Sequence, residues 1–400
     1  MNLLYLAHRI PFPPVKGDKI RSFNQIKHLS RTHTIHLACL VDERADWDHI
    51  RALEKWCASV EAVYRNVLLQ KARAALGIFT SRPLTANALY SAELQQLIDK
   101  RLVSERIDRI VLSSSGMAEY VKGIHGIPRI MDFVDVDSEK WRIYVTHHRG
   151  LSKAVYKLEA GRLAGYEDEI ARTFDHCLVV SEDEAKVLRD RIPSCPVSVV
   201  PNGVDFDWFN LQTTTDVREA RPTLIFTGSM DYAPNIDGVR YFCSEVLPLI
   251  SKRIPAVQFW IVGRNPTTAV KALADDPRVT VTSTVPDVRP YLRKAWVAVA
   301  PLRIARGLQN KVLEAMAMQL PVVGTSAAFR GTMATTADGI SIADHPAGMA
   351  EETVTLLEDS RRRQQAGERA RRFVERHHRW EEQVERLGRI LEEVTVRGDH

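Results

Sequence analysis

Cysteine is sparse: the 400 residues hold five, at Cys39, Cys57, Cys177, Cys195 and Cys243, with no C-x-x-C pair. That spacing excludes a disulfide scaffold and a cysteine-built zinc site, and reduced thiols in the cytoplasm are the expectation. Long hydrophobic runs are missing. No stretch approaches the roughly 18 apolar residues that a spanning helix needs. The opening Met1-Asn2-Leu3-Leu4-Tyr5-Leu6-Ala7-His8 is interrupted too soon for a secretory signal and reads as a first strand. Charge of one sign is scarce as well: 55 Lys and Arg against 50 Asp and Glu leave +5. So dilute an excess, with no strip of bases and stacked aromatics, argues against a nucleic-acid partner. No short repeat or low-complexity tract appears. Fibrous, secreted and integral-membrane readings drop out.

What is present is alternation. Strand-like runs fall near Leu3–Ala7, Ile35–Leu40, Arg109–Leu112, Arg129–Phe133, His176–Val180 and Val197–Val200. Helical patterns separate them, including Lys19–Ser30, Ala45–Trp56 and Ala154–Thr173. Ser181 and Glu184 have capping-box spacing, which predicts a helix start after the fifth strand. A second series follows the polar stretch Gln212–Asp216, with strands near Thr223–Phe226, Val257–Val262, Val279–Val281, Val297–Val299 and Pro321–Val323. Strand and helix in turn require mostly parallel sheets covered on both faces. The fold class is therefore α/β, with two doubly wound, Rossmann-like domains. Domain boundaries are expected at 1–205 and 206–375, with a helical segment at 376–400 that packs back toward the first domain. Trp380 is its candidate anchor. Ligands of such sheets bind beyond the carboxyl ends of the strands.

The strongest local signal runs from Ala305 to Val323, after the strand Val297–Val299. Gly307 removes a side chain where backbone approaches a ligand. The helix expected over Gly307–Met318 offers free amides to phosphate oxygens at its start. Arg306 and Lys311 add positive charge suited to a diphosphate. Glu314, about two turns in, can accept hydrogen bonds from the two hydroxyls of a ribose. Taken alone, Glu314 would be an ordinary carboxylate on an amphipathic helix.

Glu314-Ala315-Met316-Ala317, followed by Pro321-Val322, resembles the nucleotide-sugar motif of retaining glycosyltransferases with the two-domain GT-B fold (glycosyltransferase family 4). The typical form is E-x-F-G-x-x-x-x-E-A-M-A-x-G-x-P-V, and its second Glu, matched by Glu314, holds the ribose. Arg306 stands where the motif has its first Glu. Pro201-Asn202-Gly203-Val204-Asp205 resembles a segment near the end of the family's first domain. Phe226-Thr227-Gly228-Ser229-Met230 looks like the first strand and glycine turn of the donor domain. The basic pair that follows this glycine in many members is absent here, so Arg306 and Lys311 become the leaving-group candidates. Ile261-Val262-Gly263-Arg264 is similar to the strand-to-glycine turn near the base. The resemblance thus marks Glu314, Lys311, Gly307, Arg306, Gly17, Gly228 and Gly263 as nucleotide-sugar-binding candidates.

The loop from His8 to Ser22 carries Gly17 with Lys16, Lys19 and Arg21, where the family places a flexible loop over diphosphate and acceptor. Asp132 and Asp135 leave a strand at its carboxyl end. His8, Lys16, Lys19, Arg21, Asp132 and Asp135 are the acceptor-side candidates. The catalytic His of many members has no counterpart, since Ser113-Ser114-Ser115-Gly116 occupies its place. The loop at Lys16–Ser22 and the segment Asp132–Trp141 together resemble sugar transferases of PEP-CTERM/exosortase exopolysaccharide systems. Asp135-Val136-Asp137 has D-x-D form, but that metal motif belongs to a different glycosyltransferase fold, so no metal and no cofactor is expected. His147-His148 and His377-His378 lack metal-ligand spacing and read as surface residues. Val63–Phe79, apolar with interleaved bases, suggests a helix on an anionic membrane surface, with Lys153 and Lys157 extending it. The implied partners are a nucleotide-diphosphate sugar and a saccharide or lipid-linked acceptor. The implied reaction is glycosyl transfer. Two rival readings are a degenerate, non-catalytic glycosyltransferase-like binding partner and a sugar-nucleotide 2-epimerase.

Overall fold

The computed structural model describes residues 1–65, 82–147, 149–211 and 218–397, the side chains of His147 and Leu151 excepted. The chain forms two compact units, Met1–Pro201 with Trp380–His400, and Asn202–Arg379. Both crossings lie four residues from the boundaries expected at 205 and 375, the first earlier and the second later.

In the first unit seven parallel strands follow the order β3-β2-β1-β4-β5-β6-β7. They are β1 (Asn2–Ala7), β2 (Thr34–Val41), β3 (Ser59–Tyr64), β4 (Arg109–Ser113), β5 (Arg129–Val134), β6 (His176–Val179) and β7 (Val197–Val199). Successive residues of β1 serve opposite faces, as the two-residue period of a strand requires. Leu4 and Leu6 join Leu112, Met131 and Phe174, whereas Leu3 and Tyr5 join Ile26, Leu37 and Trp380. Burial on both faces is why these strands are nearly continuous apolar runs.

Sequence reasoning missed β3, an edge strand in which only Val63 is buried. Val63 and Tyr64 close this strand and do not begin a membrane-surface helix, because they pair with Leu40 and Val41 of β2. Residues 66–79 of that expected helix lie outside the described residues, as do the 212–216 linker and His148. The helix expected over 45–56 is a 3-10 segment, Arg44–His49, and one α turn, Ile50–Leu53. Ser181 caps the Glu182–Arg191 helix by accepting from the Glu184 amide at 3.4 Å. The Glu184 carboxylate accepts from the Val136 amide at 2.8 Å and so ties this helix to the end of β5.

The second unit has six parallel strands in the order β10-β9-β8-β11-β12-β13. These are β8 (Thr223–Ser229), β9 (Gln258–Arg264), β10 (Val279–Thr284), β11 (Val297–Ala300), β12 (Val322–Gly324) and β13 (Ile340–Ile342). The last, three residues at the sheet edge, was also missed. In each sheet the chain reverses its direction of addition, between β1 and β4 and between β8 and β11. A reversal of this kind opens a crevice at the carboxyl ends of the strands.

The helix Trp380–Glu393 returns the chain to the first unit. Trp380, Val384, Leu387 and Leu391 form its buried stripe, at helical spacing, against Leu3, Tyr5 and Ile26. Trp380 is 1% exposed. Trp380→Ala is expected to cost about 3–5 kcal/mol, read by urea unfolding with circular dichroism. A loss below about 1 kcal/mol would remove this helix from the core that the first sheet depends on.

Candidate active site

At the carboxyl edge of the second sheet, Gly228 and Gly263 are register partners on β8 and β9. A Cβ on Gly263 would lie 1.7 Å from the Gly228 carbonyl oxygen, so no side chain fits between the strands there. A Cβ on Gly228 would meet Asn235 Nδ2 at 2.8 Å and Lys311 Nζ at 3.5 Å. Bare backbone at the end of β8 is what lets Lys311 approach it. Lys311 Nζ donates to Asn235 Oδ1 and lies 4.7 Å from the Phe226 ring centroid. Asn235 Nδ2 donates in turn to the Ser229 carbonyl at 2.8 Å. Asn235 is a site residue that sequence reasoning missed. It carries no charge, and the resemblance assigned it no role.

The helix expected over Gly307–Met318 spans Asn310–Ala317. Gly307 has φ +61°, the left-handed conformation that glycine tolerates best, and it turns the chain out of β11 before the helix begins. Gln309, at the N-cap, accepts no amide with its side chain; it donates instead to the Arg306 carbonyl at 2.9 Å. The first-turn amides therefore lack a side-chain cap. Asn202, from the Pro-Asn-Gly-Val-Asp segment, donates to Asn310 Oδ1 at 2.9 Å and so buttresses this start. With the helix beginning at Asn310, Glu314 sits about one turn in, not two.

Lys311 and Glu314 are three residues apart on one helical face. Burial pushes the Lys311 ammonium down to about 7, with the Glu314 charge pulling the other way. Burial likewise pushes the Glu314 carboxyl up to about 7, against the attraction of Lys311. Among the described residues the Glu314 carboxylate has no hydrogen-bond donor. A desolvated cation and an unsatisfied acceptor, one turn apart beside bare backbone, suit a ligand that carries both phosphate and hydroxyl groups.

The acceptor-side candidates and Gly17 lie in the first unit, where the structure separates them. Gly17 opens the Gly17–Leu29 helix. His8 stands in the β1/β4 crevice, with Nδ1 3.3 Å from the Ser113 carbonyl and Nε2 3.1 Å from Asp18 Oδ2. Arg9 Nη1 also donates to Asp18, at 2.7 Å. Although burial opposes it, the hydrogen bond and charge of His8, with Arg9, hold the Asp18 carboxyl well below the usual range. Asp18 was not among the sequence candidates.

Arg21 and Asp132 are corrected: both are fully buried and satisfy each other. Arg21 donates to Asp132 from Nε at 2.7 Å and Nη2 at 3.0 Å, and from Nη1 to the Val200 carbonyl at 2.8 Å. Asp132 also accepts from Gln25 and the Val134 amide, so it has no capacity left for an acceptor hydroxyl. Lys19, 4% exposed, is held by Asp46 at 2.6 Å and is likewise structural. Lys16 is half-buried, 3.8 Å from Glu43, and Asp135 is half-buried just beyond β5. His378 is corrected as well. It is buried, with Nδ1 2.9 Å from the Asn202 carbonyl and Nε2 3.1 Å from the Thr332 carbonyl. Among the described residues no group of three His, Cys, Asp or Glu is placed to hold a metal ion.

Asp132→Ala leaves Arg21 buried without its carboxylate. It is expected to destabilise the protein by about 3–5 kcal/mol in chemical denaturation. Wild-type stability in the variant would mean that the pair is not the structural tie described.

Residues 221–359 match the family model of glycosyl transferases group 1, and residues 138–208 match that of glycosyltransferase family 4. No curated protein matches the sequence. Among solved structures, sucrose-phosphate synthase from Thermosynechococcus elongatus is 14% identical, with 98% of each chain covered and a TM-score of 0.71. Anabaena HepE in complex with UDP and glucose is 12% identical, covering 98% of this chain and 100% of its own, at 0.68. WaaG, a glycosyltransferase involved in lipopolysaccharide biosynthesis, is 15% identical, covering 97% and 99%, at 0.64. These identities carry the fold, GT-B across nearly the whole length. The two family matches, one in each half of the chain, carry the chemistry, and the protein is a GT-B glycosyltransferase.

Proposed function

We propose that the protein moves a sugar from a nucleotide-diphosphate donor to a saccharide acceptor, with retention of anomeric configuration. The observation that carries the donor reading is the half-buried Glu314 carboxylate, which takes no hydrogen bond from the described residues, one helical turn from the Lys311 ammonium. Glu314 accepts from the ribose hydroxyls, while Lys311, Arg306 and the uncapped amides beyond Gly307 receive the diphosphate. HepE has been solved with UDP-glucose, and S. aureus TarM with UDP and alpha-GlcNAc-glycerol, which supports a nucleotide sugar and a saccharide as partners here.

In this reading the bond between the anomeric carbon and the β-phosphate oxygen breaks first, and positive charge develops at that carbon. The leaving diphosphate gains negative charge, which the lysine, the arginine and the amides stabilise without a metal. Its departing oxygen takes the proton of the acceptor hydroxyl, and the acceptor oxygen bonds the anomeric carbon from the same face. No protein nucleophile is required. The acceptor is lipid-linked and the product an exopolysaccharide precursor, made in the cytoplasm at the inner face of an anionic membrane.

The test is incubation with UDP-, GDP- and ADP-sugars and a polyprenyl-diphosphate saccharide, reading nucleoside diphosphate release and the product's anomeric configuration by NMR. A glycolipid of retained configuration supports the proposal. Inversion removes the retaining mechanism, and neither donor hydrolysis nor transfer points to a non-catalytic partner. Glu314→Ala should weaken nucleotide-sugar binding about ten- to a hundredfold in calorimetry, the scale of a lost charge-assisted hydrogen bond. Unchanged affinity takes Glu314 out of the site.

Nucleotide-sugar affinity should peak near pH 7. Above it, free Lys311 loses its proton and binding must restore it, at a cost of up to about tenfold per pH unit. Below it, Glu314 takes up a proton and loses acceptor capacity. Lys311→Arg keeps its charge throughout and should flatten the alkaline limb alone; an unaltered limb would assign that titration to another group.

A further inference from the structure

β8 and β9 run in register to their ends, so Ser229 is the partner of Arg264 just beyond the Gly228–Gly263 contact. Arg264 Nε donates to Ser229 Oγ at 3.3 Å. Its Nη2 is closed off from solvent and has no acceptor. Among the described residues no carboxylate lies within ion-pair distance of Arg264. Asp231, in the loop after β8, accepts from Asn265 Nδ2 at 3.1 Å. Arg264 as a whole is half-buried, but a guanidinium N–H closed off from solvent is normally paired, because a desolvated donor without an acceptor costs free energy. One left uncompensated at a ligand-binding edge matches an anion arriving from outside.

A continuous set of contacts links this arginine to Lys311. Arg264 holds the Ser229 hydroxyl, Asn235 holds the Ser229 carbonyl, and Lys311 holds Asn235. Two cations therefore flank the bare Gly228 backbone, one from β9 and one from the Asn310–Ala317 helix. The β8 turn contributes none, since Ser229-Met230-Asp231 follows its glycine.

We propose that Arg264 is a diphosphate-binding residue, working with Lys311 and supplied by β9 because the turn after β8 lacks a basic side chain. The proposal rests on the nucleotide-diphosphate reading above. On binding, the guanidinium turns from Ser229 toward the phosphates and gives its unsatisfied N–H groups to their oxygens. Ser229 and Asn235 act as positioning residues that hold the two cations in place before the ligand arrives.

Calorimetry with UDP, GDP and ADP and their parent nucleosides tests this on wild type, Arg264→Met and Arg264→Lys. Arg264→Met should lose about ten- to a hundredfold in affinity for the diphosphate that wild type binds. Its affinity for the nucleoside should hold, and Arg264→Lys should recover part of the loss. The melting temperature of the ligand-free Arg264→Met protein should not fall, since no ion pair is removed. A lowered melting temperature with an unchanged diphosphate-to-nucleoside ratio would make Arg264 structural and overturn the proposal. Diphosphate binding at wild-type strength in Arg264→Met overturns it while leaving the donor reading intact. Failure of the wild type to bind any of the three diphosphates overturns both.

Discussion

A parallel sheet covered on both faces confines its polar chemistry to its ends, and both halves of this protein are built under that constraint. Leu224, Ile225 and Phe226 are at most 1% exposed, so nothing within β8 can meet a ligand. Polar function begins only where the strand runs out, at Thr227, Gly228 and Ser229. The same change occurs after Ala7 of β1, where His8 and Arg9 follow five buried residues. Parallel strands place all their carboxyl ends on one edge, and the crossover helices present their amino ends to it. Residues far apart in sequence, such as Ser229, Arg264 and Lys311, meet there for that reason.

Close approach at that edge then decides which residue types carry the charge. Gly228 and Gly263 leave no room for side chains between β8 and β9, so the cations come from the next strand position and from a helix. Asn235 suits the gap between them because an amide both donates and accepts. It fixes the Ser229 carbonyl with one end and Lys311 with the other. A carboxylate there would neutralise the lysine, and an apolar residue would leave it undirected. In the first unit carboxylates do occupy the corresponding layer. Asp132 is saturated by Arg21, Gln25 and the Val134 amide, and Asp18 is shared between His8 and Arg9.

Most of the fold was legible because burial writes itself into long apolar runs. The six first-half strands read from sequence all have counterparts, from Asn2–Ala7 to Val197–Val199. β3 and β13 escaped notice because edge strands bury one face poorly, and β13 has only three residues. Glu314 stood out because a motif marks it, while Lys311 lies three residues before it on the same helix and Gly307 lies in the turn that precedes that helix. Arg21 and Asp132 misled for a physical reason. A charge at a strand end looks the same in sequence whether it awaits a ligand or meets a partner, and their separation of 111 residues hid the pairing. Asn235 and the unpaired state of Arg264 depend on three-dimensional neighbours alone, as does the burial of His378.

The difference between the two edges lies in how far charge is balanced before any ligand binds. Arg21 with Asp132 and Lys19 with Asp46 are closed pairs, and closed pairs hold structure without exerting a field on an incoming group. Lys311, Glu314 and Arg264 are not closed. Desolvation draws the lysine and the glutamate toward the same value near 7, so neither charge is secure in the free protein. Such an arrangement is unfavourable for the fold taken alone, and functional sites are where that cost is tolerated. A ligand with anionic oxygens for the cations and hydroxyl donors for the carboxylate would remove all three deficits in one step. The free energy then released depends on binding, which is the condition for an edge that recognises its substrate instead of merely stabilising the sheet behind it.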